Sequence, residues 1–147
     1  MNEYQLKNLT DEELSRLHKR RESAICKSIK EYNKNHSKDH KKELNTLLKE
    51  GKLINKEMQL RIFHKAAVLS LIRWAKGNEE NFDVVQKDVD NWLEISHCNG
   101  SSNGEDLIAH RKIAIESLII CCISQCNTEE LNKLDDIKQK LASSILN

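Results

Sequence analysis

A chain of 147 residues, 32% charged and only 4% aromatic, suits a single domain large enough to fold without a disulfide or a metal. The scarcity of aromatic residues argues against a β-rich fold, and a formal net charge of +1 excludes a global charge excess as the basis of nucleic-acid or membrane binding. Proline is absent and glycine occurs four times, so little interrupts helices. The expected fold class is all-α: one single-domain bundle of about six helices over residues 1–147, with the third and fifth helices at its centre.

Residues 1–9 read as an irregular arm. The first helix is predicted from Thr10 to about Asn33, because Thr10 and Glu13 have capping-box spacing and Leu9 with Leu14 has the spacing of a hydrophobic staple. Its apolar stripe is Leu14, Leu17, Ala24, Ile25, Ile29 and Tyr32. Arg16, Lys19, Arg20, Lys27 and Lys30 fall on the opposite face. Arg21 and His18 project from the apolar side, where a solvated charge is not expected.

A second, short helix is predicted over Lys38 to Glu50, capped by Ser37 and stopped by Gly51. A third follows from Lys56 to Lys76, capped by Asn55 and stopped by Gly77. It is apolar on most sides and so is expected at the centre. The fourth runs from Phe82 to Ser96 behind an Asn81 cap, with Phe82, Val85, Val89, Trp92 and Leu93 on one stripe. Residues 97–104 (HCNGSSNG) are the clearest loop, since Asn-Gly pairs favour turns. The fifth helix is predicted over Glu105 to Gln125, and the sixth over Glu129 to Leu146 behind a Thr128 cap. The expected core is Leu17, Ile25, Ile62, Phe63, Leu69 and Trp74 from the first and third helices, with Val85, Trp92, Leu118, Ile119, Cys122 and Leu134 from the rest. No repeat of fixed period and no dividing linker is present.

The fifth helix contains IAIESLIICCISQC (113–126), the most apolar run, which holds three of the five cysteines. A membrane span needs about 20 predominantly apolar residues. The wider segment 107–126 has that length but carries His110, Arg111, Lys112 and Glu116, so a core helix is the better reading and no membrane span is expected. His110, Ser117 and Ser124, with Glu116, form a narrow polar strip that marks one flank as uncovered. The N-terminal MNEYQLKNLTDEEL has no apolar stretch of the kind a secretory leader needs. An odd, clustered set of cysteines reads as reduced thiols. Both features point to a cytoplasmic protein.

Cys122 and Cys126, four residues apart on a helix, with His97 and Cys98 from the loop, are candidate ligands for a zinc site of sulfur and nitrogen. The spacing fits no known zinc framework, and small buried hydrophobes are the simpler reading of these cysteines, so no cofactor is expected. His36 and His40 are likewise one turn apart, in a lysine-dense segment that repels cations. There is no Gly-rich phosphate loop, no GxSxG and no HExxH, and enzymatic activity is not expected.

Charge is uneven along the chain. Residues 1–56 carry a net +5 and residues 57–147 a net −4. The leading expectation is a small soluble regulatory or inhibitory protein that binds another protein. Phage or plasmid accessory factors such as immunity proteins, antitoxins and lysis inhibitors are the class-level analogy. The alternative is a nucleic-acid-binding regulator using the basic face of the first helix. The candidate partner-binding residues are Arg16, Lys19, Arg20, Arg21, Lys27 and Lys30. The charge asymmetry also fits a homo-oligomer joined basic half to acidic half. Arg21 and Glu116, each a charge on a mostly apolar surface, are expected to pair with each other or with a similar stranded charge.

Overall fold

The computed structural model describes residues 2–96 and 104–144. The described residues form six α-helices and no strand: α1 (Glu3–Lys7), α2 (Asp11–Lys34), α3 (Lys38–Ala75), α4 (Phe82–Ile95), α5 (Gly104–Ile120) and α6 (Thr128–Ser143), with a short 3-10 turn at Ile123–Gln125. The fold is all-α, as the composition implies. No helix among the described residues is long and apolar enough to cross a membrane. The chain makes two compact units, Met1–Gln59 and Leu60–Asn147, and α3 contributes residues to both.

Local chemistry sets the helix starts. The Thr10 hydroxyl accepts from the Glu13 N–H, and the Glu13 carboxylate accepts from the Thr10 N–H, so the predicted capping box opens α2. Ser37 Oγ accepts from His40 N–H at the start of α3, and Asn81 Oδ1 from Asp83 N–H at the start of α4. Two starts differ from expectation. The arm at 1–9 contains α1, because Asn2 and Gln5 form a capping box of their own. The cap of α6 is Asn127 rather than Thr128, since Asn127 has the acid three residues on, Glu130, that closes the reciprocal pair.

The predicted break between the second and third helices does not exist. Gly51 and Asn55 lie inside α3, which runs unbroken for 38 residues. A glycine stops a helix by taking positive φ, and among the described residues Gly77 alone does so, at 79°. There the Gly77 N–H donates to the Trp74 carbonyl and the Asn78 N–H to that of Arg73, the paired bonds that close a helix end. Gly51 instead serves close approach. A Cβ at this position would stand 3.2 Å from Ile25 Cδ1, so its bare Cα lets α2 and α3 come together.

In the first unit Leu6, Leu14 and Ile54 are buried, with Leu9, Leu17, Leu53 and Met58 packed on them. α1 thereby closes over the junction of α2 and α3, and Lys56 Nζ meets Glu3 Oε1 at 3.1 Å. In the second unit the core takes Ala67, Leu71, Ile72 and Ala75 from α3, Val85, Val89 and Leu93 from α4, and Ala114, Ile115, Leu118 and Ile119 from α5. Cys122 and α6, through Leu134, Leu141 and Ala142, complete it. Trp74 and Trp92 pack partly buried against this cluster, and Leu17 against that of the first unit. Ile25 and Phe63 are half-buried.

Two expected core residues are surface residues. Ile62 is 63% exposed and Leu69 42%. They stand seven residues apart on the side of α3 opposite Ala67, Leu71 and Ala75. A helix apolar all round does not declare which side meets its neighbours. The fifth helix also ends early, at Ile120 rather than Gln125. Cys121 N–H donates to the Leu118 carbonyl, Cys122 N–H to Ile119 and Gln125 N–H to Cys122, a tightening into three-residue steps. Ile119, Ile120, Cys121, Cys122 and Ile123 are poor helix formers in succession, which favours that ending.

Candidate functional site

The basic face of α2 keeps its predicted form. Arg16, Lys19, Arg20, Lys27 and Lys30 are all exposed. None of the five makes an ion pair among the described residues. Lys19, Lys27 and Lys30 line an open depression of about 670 Å³ with Glu22, Ser23 and Cys26. Arg16 and Arg20 line a second, of about 310 Å³, with Leu9, Glu13 and Leu17. The acids nearby have other duties. The Thr10 backbone N–H, then the Thr10 hydroxyl, with Arg16 contributing, hold the Glu13 carboxyl below the usual carboxylate range. Glu22 Oε1 lies 3.3 Å from His18 Nε2.

Arg21 is not part of this face. Its Nη2 meets Glu50 Oε2 at 2.8 Å, both side chains being about three-quarters buried. Glu116 meets Lys138 Nζ at 3.2 Å. Each stranded charge does find a partner, but the two do not pair with each other. Their true partners lie on α3 and α6, at positions that one helix's periodicity cannot pick out.

The thiols separate into different environments. His97 and Cys98 lie outside the described residues. Cys122 and Cys126 do not share a helix face, because the 3-10 turn intervenes and Cys126 has extended backbone (φ −125°, ψ 142°). Among the described residues no group of three or more His, Cys, Asp or Glu is placed to hold a metal. Cys122 is fully buried and its thiol donates to the Leu118 carbonyl at 3.4 Å. Burial, with the neighbouring Cys126 and Cys121 adding to it, pushes this thiol from 9.0 up to about 12. Burial and then Glu130 raise Cys126 as well. Neither has the thiolate character of an activated nucleophile.

The folded state keeps the Cys122 proton to about pH 12, whereas an unperturbed thiol loses it near 9.0. The contribution is complete below the lower value and is lost as pH rises through the interval. Stability should fall there with a slope of at most about 1.4 kcal/mol per pH unit from this group, and Cys122→Ala should flatten the decline in denaturation curves between about pH 9 and 10.5. In the native protein iodoacetamide should label Cys26 and Cys121, which are exposed, and spare Cys122.

One pairing had no sequence signal. Cys121 Sγ lies 3.8 Å from His64 Nε2, and the His64 ring meets Trp92 edge-on at 5.6 Å between centroids. The two residues are 57 positions apart and only the fold joins them. Arg111 was also missed. It is 5% exposed, on the core side of α5 in register with Ile115, Leu118 and Cys122. Its Nη2 meets Asp90 Oδ1 at 2.6 Å and the Leu141 carbonyl at 3.0 Å, and its Nε the Ala142 carbonyl at 3.1 Å. A cation four, seven and eleven residues before apolar core positions was the available signal.

The outer face of α5 is the other notable surface. Of the expected polar strip, His110 and Ser117 are exposed on this helix and Glu116 is half-buried, while Ser124, also exposed, lies past its end in the 3-10 turn. Ile113 (63%) and Ile120 (64%) share that face, two helical turns apart, with Ser117 between them. No family model, curated protein or solved structure matches this chain.

Proposed function

We propose that this protein is a regulatory or inhibitory factor that acts by binding another protein, and that the outer face of α5 receives an amphipathic helix of that partner. The observation that carries the reading is the pair Ile113 and Ile120. Two large aliphatic side chains face away from the core at the same seven-residue interval that helices use to interlock. Burying each is worth about 1.5–3 kcal/mol, a gain that the chain alone does not take. Ser117 between them is small and exposed, so it does not obstruct an incoming apolar side chain. His110, exposed one turn before Ile113, supplies a polar edge. Accessory factors of phages and plasmids, which work by such contacts, are the class this reading fits best.

The test compares capture from a host lysate by the native chain and by the Ile113→Glu/Ile120→Glu variant. Both positions are exposed, so the variant should keep its helical circular dichroism. A protein retained by the native chain and lost by the variant, with a predicted amphipathic helix that competes as a peptide, supports the reading. Identical sets on both baits would sink it. A homodimer in sedimentation that the same substitutions dissolve assigns the face to self-association and equally overturns it.

A further inference from the structure

We infer that the exposed face of α2 is a binding surface for the phosphate backbone of duplex nucleic acid, read without regard to sequence. Arg16, Lys19, Arg20, Lys27 and Lys30 extend over about 21 Å of helix axis. A basic stripe is often a solvated surface whose charges pair with neighbouring acids, and here that pairing is absent. Among the described residues none of the five forms an ion pair, and two acids of the same helix are engaged in other contacts, Glu13 at the Thr10 cap and Glu22 with His18. The one arginine that leaves the stripe, Arg21, is the one that has a carboxylate, Glu50. Between Leu14 and Lys30 the helix carries six basic residues against the single acid Glu22, so this stretch presents a net positive field to an external polyanion.

The chemistry of the face selects among polyanions. A protein partner calls for an apolar centre with aromatic anchors, and the depression at Lys19, Lys27 and Lys30 offers Ser23 and Cys26 instead. A single strand calls for aromatic platforms on which bases stack. The only aromatic on α2, Tyr32, is half-buried and set edge-on against His36 at 4.9 Å between centroids. What the face provides is long flexible cations along a straight line, which suits the regular charge of a duplex backbone and carries no means of reading bases. This surface belongs to the first unit and does not depend on the α5 reading.

The experiment is fluorescence anisotropy of a labelled mixed-sequence duplex titrated with the full chain across a salt series. Five backbone contacts give a slope of log K against log salt of about −4.5, a loss of about 500-fold between roughly 50 and 200 mM. The triple variant Lys19→Gln/Lys27→Gln/Lys30→Gln should reduce the slope to about −1.8. The control Lys65→Gln/Lys87→Gln/Lys133→Gln removes the same charge from other exposed lysines and should leave the slope of the native chain. Equal slopes for the two triple variants overturn the inference, as does a failure to bind at the lowest salt. Tighter binding to the single strand than to the duplex, or displacement of the duplex by poly-glutamate at equal charge concentration, overturns it too.

Discussion

Arg111→Ala should lower the unfolding free energy by about 3–5 kcal/mol, the range for breaking a buried charge cluster by removing one member. The guanidinium is the joint of the second unit. It leaves α5, meets Asp90 on α4, and accepts no bond in return but gives its N–H groups to the carbonyls of Leu141 and Ala142 near the end of α6 and to Ser144 Oγ. Those carbonyls belong to the last turn of a helix, where no intrahelical donor exists. Removing the side chain takes a buried donor from each: the Leu141 carbonyl keeps the Ser144 hydroxyl at 2.9 Å, while the Ala142 carbonyl loses its Arg111 donor at a cost of about 1–3 kcal/mol. Asp90→Asn should cost less, about 1–2 kcal/mol, because Asp90 is 38% exposed and the arginine keeps its other acceptors. Arg111→Lys should recover little, since one ammonium cannot span oxygens on two helices in the forked geometry of a guanidinium. Urea denaturation followed at 222 nm measures all three. A loss below about 0.5 kcal/mol for Arg111→Ala, the range of an ordinary surface substitution, would remove the arginine from this role.

Leu118→Ala should destabilise by about 2–5 kcal/mol, and Ile120→Ala on the same helix by no more than about 0.5 kcal/mol. Leu118 is fully buried where α5 meets its neighbours, and truncation leaves a cavity that the surrounding helices close only in part. Ile120 is two residues on, a rotation of about 200° around the helix, and its side chain already meets water. Against the 5–15 kcal/mol typical of a domain, the first change consumes a large share of stability and the second is barely visible. Thermal and urea midpoints of the two variants measured together test the two-faced character of α5. Comparable losses would mean that Ile120 is covered in solution.

The run at 113–126 illustrates how far the sequence alone could be followed. Its placement in the core was legible because His110, Arg111, Lys112 and Glu116 forbid a bilayer and apolar residues on most sides call for neighbours. Its division into a buried face and an open one was not fully legible. Ile113 and Ile120 are as apolar as Ile115 and Ile119, and only the positions of α3, α4 and α6 decide between them. Ile62 and Leu69 on α3 teach the same thing. Helix starts were easier, since Thr10, Ser37 and Asn81 act within a few residues of themselves. The missed start at Asn127 was in principle available, because its acid partner at Glu130 is absent from the Thr128 register. Gly51 could not be resolved locally. Glycine favours both a stop and a close approach, and the choice rests on Ile25, in another helix. In the candidate sites, the five exposed cations of α2 followed from periodicity. Arg21, Glu116, His64 and Arg111 each depend on a partner distant in sequence, where no spacing rule reaches.

The unbroken course of α3 bears on how the chain reaches this state. Helix formation is limited by its first turn, after which each added residue gains a bond, and isolated helices shorter than about 12–15 residues hardly persist in water. Two segments broken at Gly51 would each face that barrier, and the one before it would be of marginal length. A single element of 38 residues faces it once. Propagation then takes on the order of nanoseconds per residue, far faster than the docking of distant segments. α3 is therefore the element best able to be helical before anything packs on it, and it carries Ile54 for one hydrophobic cluster and Leu71 for the other. Substitutions that weaken α3 in its exposed interior should accordingly register in the rate of folding, whereas the loss of Arg111 should register in the rate of unfolding.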